Sequence, residues 1–177
     1  NKGRGRNYGV ELTVEKFYSN NYYLLFNASL YSSTYTTGFQ KGWWSTVFDG
    51  RYLVNMTGGY EWKLPKHWSL FTDLKASYAG GVRYTPIRED LYKQSGQIEL
   101  DKTQVNARQA KDYLRADLKI GARQIGQRIT QEWAVDLQNV TNRKNVMSIL
   151  FDNGEYSTMY TQGFMPMVTY KLFFSAR

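Results

Sequence analysis

An all-β chain of antiparallel strands is predicted by three features of this 177-residue sequence. Seven segments alternate apolar and polar residues with a period of two, the pattern of strands whose two faces meet different surroundings. Aromatic residues are abundant, with 15 Tyr, 9 Phe and 5 Trp, as strands favour. The connections between segments alternate short and long, as they do in an up-and-down sheet. No apolar run reaches the roughly 18 residues of a spanning helix, so no transmembrane helix is predicted. Membrane strands are a separate case, because their alternation keeps mean hydropathy low.

The first strand sets Tyr8, Val10, Leu12 and Val14 against Asn7, Glu11, Thr13 and Glu15. In the second, Tyr22, Leu24, Phe26, Ala28 and Leu30 oppose Asn27, Ser29 and Tyr31. The third, about 45–63, places Phe48, Tyr52, Val54 and Met56 opposite Asp49, Arg51, Asn55 and Thr57. The fourth, 68–84, opposes Leu70, Leu74, Ala76 and Tyr78 to Asp73, Lys75 and Ser77. The fifth, Asp112 to Arg123, is the clearest: Leu114, Ala116, Leu118, Ile120 and Ala122 share an apolar face, and Tyr113, Arg115, Asp117, Lys119 and Gly121 the other. The sixth, about 129–141, sets Trp133, Val135 and Leu137 against Thr130, Glu132, Asp136 and Gln138. The seventh carries Pro166, Val168, Tyr170, Leu172 and Phe174, with Thr169 and Lys171 between them.

Short turns are expected at Ser19-Asn20-Asn21, Leu64-Pro65-Lys66-His67 and Ile125-Gly126-Gln127, and long connections at about 35–44, 85–111 and 142–163. Within the last, Asp152-Asn153-Gly154 predicts a hairpin between Val146–Phe151 and Tyr156–Tyr160. Tyr18, Tyr22, Tyr23, Trp62 and Trp68 beside the short turns read as one interfacial girdle, with Trp43, Trp44 and Tyr84 toward the other. The combination describes a transmembrane β-barrel segment with short periplasmic turns. A closed antiparallel barrel normally needs an even number of strands, so seven imply missing partners; a count of eight is the alternative, at which the chain closes alone. The first residue, Asn1, agrees with a chain that starts partway round.

The net charge of +8 is spread among carboxylates, as at Arg115, Asp117, Lys119 and Arg123, and forms no basic block, so nucleic acid is not an expected partner. There is no cysteine, which excludes disulfides and thiolate metal sites. One histidine and no dense carboxylate cluster leave no metal site, cofactor site or catalytic group assigned. His67 and nearby Ser69 are the residue types of an outer-membrane hydrolase or acyltransferase, but they flank a turn, and His67 reads as a solvated turn residue. Asp49, Arg51, Asp73, Lys75, Arg115, Asp117 and Lys119 read as the watery face of the strands, lining a lumen. Long loops are usually functional or disordered, which makes Arg88, Glu89, Asp90, Tyr92, Lys93 and Arg108 candidate ligand contacts, without a substrate-binding set being assigned. The glycosylation triplets at Asn27, Asn55 and Asn139 fall inside expected strands and read as chance. Gly58-Gly59 and Gly80-Gly81 are expected to mark bends or close approaches.

Four segments resemble the C-terminal barrel portion of TonB-dependent outer-membrane receptors of the Bacteroidetes type. They are Gly5-Arg6-Asn7-Tyr8-Gly9-Val10-Glu11-Leu12-Thr13-Val14-Glu15-Lys16, Ala79-Gly80-Gly81-Val82-Arg83-Tyr84-Thr85-Pro86-Ile87, Tyr113-Leu114-Arg115-Ala116-Asp117-Leu118-Lys119-Ile120 and Asp136-Leu137-Gln138-Asn139-Val140-Thr141-Asn142-Arg143-Lys144-Asn145. Their order spans nearly the whole chain, and Gln138 to Asn142 is the most specific of them. The resemblance implies the last third of a barrel of roughly 22 strands, with residues 1–177 the C-terminal part and the plug domain and TonB box absent. It implies energised uptake of an iron chelate, cobalamin, glycan or peptide, with the remaining strands, the plug, outer-membrane lipid and the TonB complex as partners. The sequence departs from the family in carrying Ser175-Ala176-Arg177 after the terminal aromatic. Two other readings stand beside it: a self-contained small outer-membrane barrel, channel or enzyme, and a soluble lipocalin-like barrel with its apolar residues inside.

Overall fold

Strand side chains point alternately to opposite faces, and the computed structural model, which describes residues 2–37 and 42–174, turns each of the seven alternating segments into a strand. In chain order the elements are β1 (Arg4–Ser19), β2 (Tyr22–Thr36), β3 (Trp44–Ser45), β4 (Tyr52–Leu64), β5 (Trp68–Ala79), β6 (Arg83–Tyr84) and α1 (Glu89–Ser95). There follow β7 (Arg108–Gln109), β8 (Tyr113–Ile125), β9 (Ile129–Gln138), β10 (Val146–Asp152), β11 (Glu155–Tyr160) and β12 (Met165–Phe174). One antiparallel sheet runs in the order β1-β2-β4-β5-β8-β9-β12, with β3 added to β2. No ladder joins β12 to β1, so among the described residues the sheet is open and has two free edges. Ser175-Ala176-Arg177 lie outside the described residues.

The registers gather apolar residues of neighbouring strands into common rows. Val14, Phe26, Met56, Ala76 and Ala116 stand in one row across five strands, and Leu74, Leu118, Leu137 and Pro166 in another. This apolar face is exposed: Leu74 is 39%, Ile120 51% and Val168 83% accessible. The opposite, polar face is the more enclosed one, since Ser69, Phe71, Glu132 and Ala134 are all buried there. At the short-turn end of the apolar face the aromatics form a band. Tyr22 pairs with Tyr60, Tyr60 lies 4.8 Å from Trp62, and Trp133 lies 5.7 Å from Trp68 and 5.6 Å from Tyr170 between ring centroids.

Two residues expected in that band are elsewhere. A register shift between Lys16 and Ser19 moves Tyr18 to the polar face, where its hydroxyl donates to Glu61 at 2.9 Å, and Tyr23 reaches the same face to donate to Asp73 at 2.8 Å. Tyr84, expected in the opposite girdle, instead packs edge-on against Tyr156 at 6.2 Å within the long connections.

Several strand ends also differ from the periodicity. β4 starts only at Tyr52, because Asp49 and Gly50 close a turn on Thr46 and Phe48 and Arg51 takes a φ of 75°. β5 stops at Ala79: Gly80 passes so close to the Gly50 carbonyl that a Cβ would overlap it, and Arg83-Tyr84 pair with Arg108-Gln109. β9 stops at Gln138, since Asn139 turns the chain with a φ of 47°. The 85–111 connection contains the seven-residue α1, closed by Gly96 at a φ of 69°. At the first hairpin Asn20 and Asn21, at φ 54° and 68°, supply the two left-handed positions that a tight two-residue turn requires.

Where the β8–β9 ladder ends, side chains take over its hydrogen bonds. The buried Asn145 amide accepts from the Leu114 N–H at 2.9 Å and donates to the Leu114 carbonyl at 2.8 Å, as a strand neighbour would. The buried Asn139 donates through Nδ2 to the carbonyls of Arg143 (3.0 Å) and Gln162 (3.2 Å), and its N–H donates to Asp117 Oδ1 at 2.8 Å. An amide nitrogen so committed is no glycan acceptor, and it lies in a turn, not in a strand as the periodicity had it. Asn145→Leu leaves both groups of Leu114 without partners and is expected to cost about 1–3 kcal/mol, read as a lower urea midpoint, whereas Glu155→Gln at an exposed position of β11 should change it little.

Candidate functional site

The polar face gathers the charged side chains into cross-strand rows. Asp73, Lys119 and Asp136 stand opposite one another on β5, β8 and β9; Lys75 faces Asp117; and Arg123, Glu132 and Lys171 continue across β8, β9 and β12. Opposite charges on facing positions of neighbouring strands attract, and like charges there would repel.

Glu132 is the centre of the tightest cluster. It is 4% exposed and takes Arg123 at 2.8 Å, with Lys119 and Lys171 each at 3.8 Å. Arg123 also reaches Glu61 at 3.3 Å. Phe71 lies beneath two of the cations, Arg123 at 5.2 Å and Lys119 at 5.6 Å from its ring centroid. Two glycines make the room: a Cβ on Gly121 would overlap the Phe71 ring, and one on Gly59 would strike both Asp73 and Tyr23. The result is a cavity of about 360 Å³ near the short-turn end, lined by Phe71 and Tyr60 as well as by Tyr23, Glu61, Asp73, Arg123 and Glu132.

Asp49 anchors a second cluster at the long-connection end. It is fully buried and accepts from the Ser33 N–H at 2.9 Å and the Ser45 hydroxyl at 2.7 Å, with Arg51 at 3.2 Å and Arg83 at 3.7 Å. Arg83 also donates to the Asp49 carbonyl at 2.7 Å, and Asn106 donates to the Ser45 carbonyl at 2.9 Å. Burial opposes ionisation of Asp49, but the Ser45 and Ser33 hydrogen bonds and the two guanidiniums outweigh it and hold the carboxyl below its usual range.

The residues singled out in the sequence divide accordingly. Asp73, Lys75, Arg115, Asp117 and Lys119 share the polar face, with Arg115 2.7 Å from Asp117. Asp49 and Arg51 belong to the upper cluster, off the strand. His67 is exposed at a φ of 62° in its turn, while Ser69 is buried on the polar face between Lys63 and Arg123 in register. In the long loop Arg88 is held by Asp90 at 2.8 Å, and Tyr92 packs against Phe151 at 5.0 Å; Glu89, Lys93 and Arg108 are exposed. Glu61, Arg123, Glu132 and Lys171 were not singled out as a group, although their strand parity already put them on one face. What joins them is register between strands, which parity within a strand does not contain.

The chain matches no protein-family model, no curated protein and no solved structure.

Glu132→Gln keeps the side-chain shape and removes the charge that three cations share. It is expected to cost about 3 kcal/mol, read from urea midpoints, and a cycle with Arg123→Gln should recover part of the loss. A lowered folded-state carboxyl stabilises at pH values above its unfolded value, and that contribution disappears as pH falls through the folded one. The Asp49 cluster should therefore hold from neutral pH down to about pH 4 and loosen below it. Thermal midpoints at successive pH values test this, and Asp49→Asn should show a smaller acid-dependent drop.

Proposed function

We propose that this chain is the C-terminal part of an outer-membrane receptor barrel of the TonB-dependent type, a seven-strand wall around a polar passage for energised uptake of a solute such as an iron chelate, glycan or peptide. One observation carries the reading. Seven antiparallel strands present an exposed apolar face with an aromatic band at its short-turn end, rows of facing opposite charges on the more enclosed face, and, among the described residues, two unpaired edges.

The physical argument follows from the solvent. An apolar face banded by Trp and Tyr suits lipid with its headgroup boundary at the band. In lipid each unsatisfied backbone group costs several kcal/mol, so the free edges of β1 and β12 need further strands. β1, with 16 residues, is roughly 50 Å long at strand rise and outreaches the hydrocarbon layer. In this reading the short turns face the periplasm of a bacterial outer membrane, the rows of charge line the lumen, and coupling to the TonB complex belongs to a plug domain beyond this chain. The chain itself is not an enzyme in this reading. A lipocalin-like barrel would enclose its apolar face, whereas here the enclosed face carries Glu132 and Ser69.

Two measurements test the proposal. Residues 1–177 expressed alone should give no monomeric heat-modifiable barrel in detergent or bilayers, and a monomer whose mobility shifts on boiling would overturn the fragment reading. Within the full chain, Val168→Lys on the apolar face should cost about 2–4 kcal/mol and deplete the protein from the membrane. Ser29→Lys, on the polar face opposite Glu11, should be tolerated; equal tolerance of both substitutions would remove the assignment of faces.

A further inference from the structure

At the long-connection end a cleft of about 430 Å³ separates the end of the 85–111 connection from the β10–β11 hairpin. Lys111 stands on one wall, and Lys144, Val146, Ile149, Thr158 and Tyr160 on the other. Both walls are tied down. Arg143 donates to the Asp112 carbonyl at 2.9 Å, Asn145 holds Leu114 by two hydrogen bonds, the Ala110 N–H donates to Val82 and the Thr161 N–H to Asn145. The cleft is therefore pre-formed, in the size range of small-molecule sites.

Its charge is uncompensated. Lys111 and Lys144 are exposed, and among the described residues neither lies within ion-pair distance of a carboxylate. The carboxylate next along the chain, Asp112, is committed to the Tyr78 hydroxyl at 2.9 Å. Lys144 Nζ sits 5.9 Å from the Tyr160 ring centroid, which keeps its charge beside an aromatic surface. Two lysine point charges ask for one anionic group. Val146, Ile149 and the Tyr160 ring ask for something flat and apolar attached to it.

We propose that this cleft binds a carboxylate carried on a flat apolar body, either a free aromatic acid or the C-terminus of a peptide ending in an aromatic residue. The carboxylate lies between Lys111 and Lys144, the apolar body rests on Val146 and Ile149 against Tyr160, and the Thr158 hydroxyl is a further donor. The inference rests on the uptake reading only for calling such a ligand a transported solute.

The test is calorimetric titration of the full chain in detergent with 2-naphthoate, its neutral analogue 2-naphthamide, and a triglycyl-phenylalanine peptide with either a free or an amidated C-terminus. At least one free acid should bind roughly tenfold or more tightly than its neutral partner, the difference expected of a charge-assisted contact, and should weaken as salt is raised. Which acid binds names the source. Lys111→Gln with Lys144→Gln should remove that advantage, Lys111→Arg with Lys144→Arg should keep it, and Lys102→Gln with Arg128→Gln, outside the cleft, should leave it unchanged. Circular dichroism checks that each variant retains its β-structure, and if the glutamine pair does not, the arginine pair and the neutral ligands still decide. No binding by either acid, or equal binding of acid and amide, overturns the proposal. Loss of the predicted membrane behaviour with binding intact would remove the uptake reading and leave the cleft assignment standing.

Discussion

Cross-strand register is the constraint on which everything else in this molecule depends. Side chains alternate between faces with a period of two, so a slip of one residue in any ladder would put an apolar row among the charges and a charge among the apolar rows. The ladders from β1 to β12 hold that parity over seven strands. The sheet consequently needs no conventional apolar core. Its buried apolar side chains among the described residues are few: Phe71, Pro86, Ile87 and Ala134.

Beyond the ends of the ladders, order is maintained by polar side chains imitating backbone. Asn145 does so for Leu114, Asn139 for the carbonyls of Arg143 and Gln162, and Asp49 for the Ser33 N–H. These groups are worth burying because each is fully engaged, and a buried amide or carboxylate left unpaired would cost more than it contributes. The long connections thus reach the cleft beside β10 and β11 as fixed walls. Aromatic contacts of Tyr92, Phe151, Tyr156 and Tyr84 tie the same region together sideways.

The two faces also differ in what fills them. The apolar face is exposed and carries the aromatic band. On the charged face Gly59 and Gly121 matter as much as the charges, since their missing side chains leave room for the Tyr23–Asp73 contact and for Phe71 under its cations.

Much of this was legible in the residues themselves. Alternation named the seven long strands, the Asp152-Asn153-Gly154 turn named the β10–β11 hairpin, and turn lengths named the two ends of the sheet, because strand period and turn chemistry are local properties. The strand limits at Ala79 and Gln138, the transfer of Tyr18 to the polar face and the short α1 were not legible in that way. They depend on a glycine meeting a distant carbonyl, an asparagine turning to hold remote backbone, and a register shift across a hairpin. Alternation alone thus determined which residues can share a face. Only the tertiary structure decided which of them meet: Glu132 with Arg123 and Lys171, Asp49 with Arg83, and Lys111 across a cleft from Lys144, since those meetings rest on registers and loop crossings between segments far apart in the chain.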